Sequence, residues 1–315
     1  MPTNSHPVLI TGGAGFIGSH LAEALVGLGQ KVRIFDNLAT GRKENLIRVW
    51  NRIEFVKGDI LEPKALNKAL KGVQIVYHLA ALTSVLESLA KPALYLEVDG
   101  LGTLNVLEGA AKIKAKRVII ASSSAVYGEG PSPQIETQTL SVDSPYAAAK
   151  LLSENLGLYF QRSRDLEVIS LRLFNVYGPR LSSSLGEAPV IGLFLKAASQ
   201  GQSPIIYGDG EQTRDFIEVR DVVRAMVLAG QAPLTSGGVF NVGTGQGVSI
   251  NFLYRLLKEL KPSFPPPVHQ PARLGDVLQS MASVAKASRF LKFTAHIDLR
   301  EGLAYLLASP GQENK

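Results

Sequence analysis

Pro7-Val-Leu-Ile-Thr-Gly12-Gly-Ala-Gly15-Phe-Ile-Gly18, with Asp36 beyond it, decides how this chain folds. Val8 to Ile10 is a short apolar run and reads as a buried strand. It breaks into Gly12, Gly15 and Gly18. A helical pattern follows, with Ile17, Leu21, Ala24, Leu25 and Leu28 on one face and Gly29 ending it as the C′ residue. A second apolar run, Lys31 to Phe35, leads into Asp36. Glycines at such a turn let the backbone approach a pyrophosphate and let the helix pack on the strand. The helix N-terminus adds free N–H groups and the positive end of its dipole. A carboxylate at the end of the second strand is placed to accept from a ribose hydroxyl. A glycine triplet alone often serves only tight packing, but strand, turn, helix, strand and acid in register predict a dinucleotide site. Gly12, Gly15, Phe16, Ile17 and Gly18 would line the turn, with Asp36 and Asn37 at its far end. Asp36 would repel a 2′-phosphate, so NAD is expected rather than NADP. Arg42 and Lys43 read as solvated loop charges.

The rest of the first half repeats the alternation. Strands are expected at Ile53–Val56, Gln74–His78, Arg117–Ala121 and Leu166–Leu171, with helices near 62–71, 92–112 and 146–162. Strand–helix alternation means a parallel sheet covered on both faces, with ligands at the C-terminal strand ends. Asp59, Ile60, Leu79, Ala80 and Ala81 fall at such ends and should line the cofactor groove. The fold class is therefore α/β, a doubly wound parallel sheet of Rossmann type, with a smaller α/β C-terminal lobe. The expected division is 1–180 for the dinucleotide-binding domain and 181–315 for the substrate lobe, with a strand near 239–242 returning to the main sheet. In the lobe, Leu181 to Ala188 reads as a loop and 189–199 as a helix. Asp221 is expected to N-cap a helix running to Gly230. Residues 250–260 read as an amphipathic helix, Pro262 to Pro271 as a Pro-rich loop, and 282–308 as two short helices.

Composition narrows the function classes. The chain has 315 residues, 45% apolar and 19% charged, with no cysteine. Disulfides, thiolate metal sites and cysteine nucleophiles are excluded, and no metal site is expected. The opening Met-Pro-Thr-Asn-Ser-His-Pro has no basic-then-apolar pattern, and no run is long enough to cross a membrane, so a soluble cytoplasmic protein is expected. The net charge of +6 is scattered, apart from Lys112, Lys114, Lys116 and Arg117, which read as a solvated turn. No coherent basic stripe suggests nucleic acid. A positive balance suits an anionic small substrate.

Three stretches carry chemistry: Ala121-Ser-Ser-Ser-Ala-Val-Tyr-Gly128, Ser144-Pro-Tyr146-Ala-Ala-Ala-Lys150 and Arg172-Leu-Phe-Asn175-Val-Tyr-Gly-Pro-Arg180. Tyr146 and Lys150 are one helical turn apart and share a face. An ammonium beside a phenol stabilises the phenolate, so Tyr146 can act as general base, with Ser123 bonding the same substrate hydroxyl.

Thr11 to Gly18, Asp36-Asn37, Val126-Tyr127-Gly128, Tyr146 with Lys150, and Phe174-Asn175-Val-Tyr-Gly-Pro together resemble the extended short-chain dehydrogenase/reductases. Within these the chain is similar to the UDP-galactose and UDP-N-acetylglucosamine 4-epimerases. The resemblance spans nearly the whole chain, including Gly208-Asp-Gly-Glu-Gln-Thr-Arg214-Asp-Phe, Asn241-Val-Gly-Thr-Gly and Arg273-Leu-Gly-Asp276-Val. It implies that Asn175 donates to the sugar-nucleotide phosphates and that Arg214 and Arg273 grip the diphosphate. It places Tyr207 against uracil, Val190 at the base edge and Ser84 in the loop touching the hexose. Asp99 departs from the Asn that many relatives carry near the cofactor phosphates, and Thr83 from the Lys of some. Dehydratases carry Asp-Glu after the catalytic hydroxyl, and decarboxylases Glu at the second place; here stand Ser124 and Ala125. Reversible transfer through a 4-keto sugar is what remains, with Tyr146 taking the C4 proton while hydride passes to NAD. Ser280, where glucose-restricted relatives carry Tyr, implies room for a 2-acetamido group. A homodimer through the helices near 92–112 and 146–162 is implied as well. Alternatives are a uronate 4-epimerase, a 2-epimerase, a 4-keto reductase or, in another class, a non-catalytic NAD-sensing protein.

Overall fold

The computed structural model describes residues 6–181, 189–233, 237–272 and 277–308. The strands are β1 (Val8–Thr11), β2 (Val32–Asp36), β3 (Ile53–Lys57), β4 (Ile75–His78), β5 (Arg117–Ser123), β6 (Glu167–Leu173), β7 (Asn175–Tyr177), β8 (Ile205–Tyr207), β9 (Thr213–Arg214), β10 (Phe216–Glu218), β11 (Gly238–Val242), β12 (Val248–Ser249), β13 (Val268–Gln270) and β14 (Gln279–Ser280). The helices are α1 (Phe16–Gly27), α2 (Pro63–Ala69), α3 (Val85–Ala90), α4 (Pro92–Tyr95), α5 (Gly102–Lys112), α6 (Pro145–Ser163), α7 (Val190–Ser199), α8 (Val219–Gln231), α9 (Ile250–Leu260), α10 (Ala285–Leu291) and α11 (Leu299–Ala308). A π-helical turn, Leu96–Leu101, joins α4 to α5.

Seven parallel strands form the main sheet in the order β11-β6-β5-β4-β1-β2-β3. The order reverses between β1 and β4, which opens a crevice at their C-terminal ends. Strands such as β1 are buried along their whole length because both faces are covered. Leu21 and Leu25 of α1, Val222 and Met226 of α8 and Leu291 of α10 cover one face. Leu66 of α2, Val106 and Leu107 of α5 and Phe160 of α6 cover the other. Further along the chain, Phe194 of α7, Leu253 and Leu257 of α9 and Leu303 of α11 close a separate core beside Tyr177 and Phe216. The doubly wound sheet and the return of β11 agree with the sequence reading.

Several local expectations are corrected. Leu28 is exposed, because α1 stops at Gly27. Gly29 does end that helix: it has φ +75°, and the N–H groups of Gly29 and Gln30 bond the carbonyls of Val26 and Leu25. Arg117 is no solvated charge. It is buried, ion-paired with Glu167 at 2.6 Å, and donates to the carbonyls of Ala229 and Ala232. Asp221 is not the cap of α8. Glu218 is, its carboxylate accepting from the Arg220 N–H at 2.6 Å, while Asp221 accepts from the N–H groups of His296 and Ile297. The stretch read as a Pro-rich loop contains β13, which pairs in parallel with β8. Among the described residues, no helix is long and apolar enough to cross a membrane.

Candidate active site

The glycine turn leaves β1 at the crevice. Gly12 has φ +68°, and a Cβ there would lie 2.6 Å from the Ala80 nitrogen. A Cβ on Gly18 would lie 2.3 Å from the Gly12 carbonyl oxygen. Both positions therefore demand glycine, for conformation at the first and for close approach at the second. Gly15 precedes α1 with no side-chain cap, which leaves the first N–H groups of the helix facing the cleft. At the end of β2, the Asp36 carboxylate accepts from the N–H of Ala14 at 2.9 Å and of Leu38 at 2.8 Å. Burial pushes its pKa up, and these two bonds oppose the shift. Each carboxylate oxygen keeps a further acceptor position for a ribose hydroxyl. The Asn37 amide donates to Asp59 at 2.8 Å, tying the ends of β2 and β3 together. Phe16, Ile17, Ile60, Leu79, Ala80 and Ala81 complete this wall. Lys43 is exposed, in keeping with a solvated charge, and its Nζ lies 5.8 and 5.7 Å from the Trp50 and Phe55 ring centroids.

The reactive groups come from the next strand and helix. Ser123 ends β5, and its hydroxyl accepts from the Ala125 N–H at 3.1 Å. Ser144 caps α6 through the Ala147 N–H at 3.1 Å, with Pro145 in the first helical position. That start places Tyr146 and Lys150 one turn apart on the cleft side, both buried. Lys150 Nζ lies 5.7 Å from the Tyr146 ring centroid, and Tyr95 meets that ring edge-on at 6.4 Å. Burial pushes the Lys150 pKa down, but the Asp99 carboxylate and Tyr146 outweigh it and the net shift is upward. Asp99 thus sits beneath Lys150, its Oδ2 3.3 Å from Nζ. His78, which the sequence did not single out, bridges Thr11 and Thr103 through its two ring nitrogens at 2.7 and 3.0 Å. Burial, with Lys150 adding to it, pushes its pKa down to about 3, so the ring is neutral.

Across the cleft, Asn175 of β7 and Arg214 of β9 line the opposite wall. Arg214 donates to the Val277 carbonyl at 2.6 Å. Ser280 of β14 is the register partner of Arg214, is nearly buried, and faces the cleft. Ser84 lines the cleft too, and its hydroxyl caps α3 by accepting from Glu87 N–H at 3.1 Å. The structure does not bring Val190 or Tyr207 to the described walls. Val190 packs on the lobe core, and Tyr207 is held within the β8–β13 ladder. Arg273 lies outside the described residues. Sequence reasoning also missed Asp215, a buried hub accepting from Thr244, Gly245 and Ala282. Its place between Arg214 and Phe216 in a quoted motif was the available signal. Glu129 and Asp143 line the cleft as well, Glu129 accepting from the Leu278 N–H at 3.0 Å. The cleft holds about 3620 Å³, against roughly 300–1,000 Å³ for a single small ligand, which is room for a dinucleotide and a sugar nucleotide together.

Comparison with known proteins identifies the family and the fold. The family model described as "NAD dependent epimerase/dehydratase family" matches residues 8–243. The UDP-glucose 4-epimerase of Mycolicibacterium smegmatis is 36% identical, over 94% of this chain and 96% of that protein. The UDP-N-acetylglucosamine 4-epimerase of Methanobrevibacter ruminantium, solved with UDP-N-acetylmuramic acid, is 37% identical with a TM-score of 0.92, covering 97% of this chain and 98% of its own. The UDP-glucose 4-epimerase of Thermus thermophilus, solved with NAD, is 34% identical with a TM-score of 0.87, covering 96% and 97%. A UDP-glucuronic acid decarboxylase of Arabidopsis thaliana is 33% identical over 96% of this chain and 69% of that protein.

Proposed function

The chain belongs to the NAD dependent epimerase/dehydratase family, and from that premise we propose that it is a UDP-hexose 4-epimerase acting on both plain and N-acetylated sugars. NAD is its cofactor, and the glycine turn, the open N-terminus of α1 and Asp36 fit it. When bound, NAD supplies reversible hydride exchange at the sugar C4. Tyr146, as the phenolate that Lys150 beside it stabilises, takes the C4 hydroxyl proton and becomes the neutral phenol. Ser123 holds the same hydroxyl. Tyr146 returns the proton once the other face of the sugar has been presented. Asn175, Arg214 and Arg273 hold the diphosphate; Val190 and Tyr207, set back from the described cleft walls, are assigned to uracil on the family resemblance alone.

The observation that carries this reading is what stands next to Ser123. Ser124 lines the cleft beside Ala125, so these places hold no carboxylate for dehydration or decarboxylation. Incubation with each UDP-sugar, without added NAD, tests it. Conversion to the C4 epimer and NAD released on denaturing the purified protein are expected; turnover only with millimolar added NAD would count against it.

Ser280 supports the wider substrate range, because a serine leaves volume where it meets the cleft. Ser280→Tyr is expected to lower kcat/KM for UDP-GlcNAc and UDP-GalNAc about 10- to 100-fold and leave the plain pair little changed. Equal loss on both pairs would sink the assignment. Leu94, Leu101, Leu152 and Tyr159 are exposed on α4, the π-helical turn and α6, which supports a homodimer through those helices.

A further inference from the structure

Asp99 is the site residue whose chemistry the reaction above does not use. It lies in the π-helical turn and is almost fully buried. Its carbonyl accepts from the hydroxyls of Thr103 and Ser153, the latter at 3.0 Å. Oδ1 accepts from the Leu82 N–H at 2.8 Å, in the loop that leads to Ser84. Oδ2 has no aligned hydrogen-bond donor and faces Lys150 Nζ at 3.3 Å as an ion pair.

An amide at this place would keep the Leu82 bond and carry no charge. The carboxylate puts an anion under the ammonium that serves Tyr146. We propose that Asp99 is a positioning residue that sets the working pH of the Tyr146–Lys150 pair, by dividing the Lys150 charge between itself and the phenolate. The inference rests on Tyr146 being the base. The groups facing this pair are few. His78 from β4 is neutral over the working range, its pKa pushed down to about 3 by burial and by Lys150. Tyr95 from α4 stays protonated, pushed up to about 12 by burial and its bond to Glu87. Glu87 lies behind Tyr95 and accepts from its hydroxyl at 3.1 Å. The charges that matter are therefore those of Asp99, Lys150 and Tyr146.

Asp99 meets the Lys150 ammonium at 3.3 Å, and that ammonium lies 5.7 Å from the Tyr146 ring centroid, so the anion offsets part of the field the ammonium offers the base. It also favours the ammonium, so it raises the pH at which Lys150 loses its proton. Asp99→Asn should move both limbs of the kcat/KM profile to lower pH, the acid limb by about one unit, with the plateau within about threefold. Asp99→Ala should move the limbs the same way and also lower the melting temperature, because the Leu82 N–H loses its acceptor. A merely structural role predicts a lower plateau with both limbs in place. Unmoved limbs in a folded Asp99→Asn protein, or failure of both variants to fold, would overturn the proposal. Tyr146→Phe keeps the two ideas apart. Retained turnover in that variant refutes the base itself; lost turnover with unmoved Asp99→Asn limbs refutes only the role of Asp99.

Discussion

Tyr146→Phe is expected to lower kcat about 10²- to 10⁴-fold on every UDP-sugar while NAD stays bound and the fold stays intact. The separation of effects comes from what the hydroxyl does in the fold. The Tyr146 ring is buried and packs edge-on against Tyr95, and phenylalanine keeps that contact. Among the described residues, the hydroxyl has no hydrogen-bond partner, so removing it leaves no buried polar group unsatisfied. Its only task is in the cleft. Lys150 makes a poorer probe of the same chemistry. Its removal would strand the Asp99 carboxylate, buried at 1% exposure, and the loss of activity would mix with loss of fold. Turnover of Tyr146→Phe, measured with NAD content and a melting curve, checks this. Unchanged turnover would refute the assigned base.

What could be read ahead of the structure was what neighbouring residues settle among themselves. The turn from Gly12 to Gly18 is fixed by contacts within a few residues and by one approach to Ala80, so its spacing carried its meaning. Tyr146 and Lys150 share a helix, and the helical period alone put them together. Arg117 failed for the opposite reason. Its partner Glu167 is its register neighbour on β6, a pairing that exists only once the sheet forms. Asp99 stands on one helix, and the ammonium it meets stands on another. Asp221 looked like a cap because Asp is a good one, yet Glu218 reached the helix N–H first and freed Asp221 to hold residues 296 and 297. Ser280 faces the cleft because β14 lies beside β9, a placement that only a family pattern anticipated.

Breaking the pair between Glu154 and Arg172 should have the largest effect on stability. Arg172 of β6 donates from Nε and Nη2 to the two carboxylate oxygens of Glu154 at 3.0 and 2.7 Å, and both side chains are nearly inaccessible. The guanidinium also lies 4.7 Å from the Tyr127 ring centroid. Neither charge has water to turn to. Glu154→Leu leaves the guanidinium uncompensated, and Arg172→Met does the same to the carboxylate. Each is expected to cost about 3–5 kcal/mol, whereas the double variant should recover much of that loss, since an apolar pair needs no counter-charge. Urea unfolding of the three variants tests it, and additive losses would show that the two side chains act separately. Activity should follow a different course. The Ser122 hydroxyl donates to Glu154, next to Ser123 on β5. The double variant removes that anchor, so it should regain stability while kcat stays below that of the parent. Recovery of both together would mean that Ser123 is positioned by its strand alone.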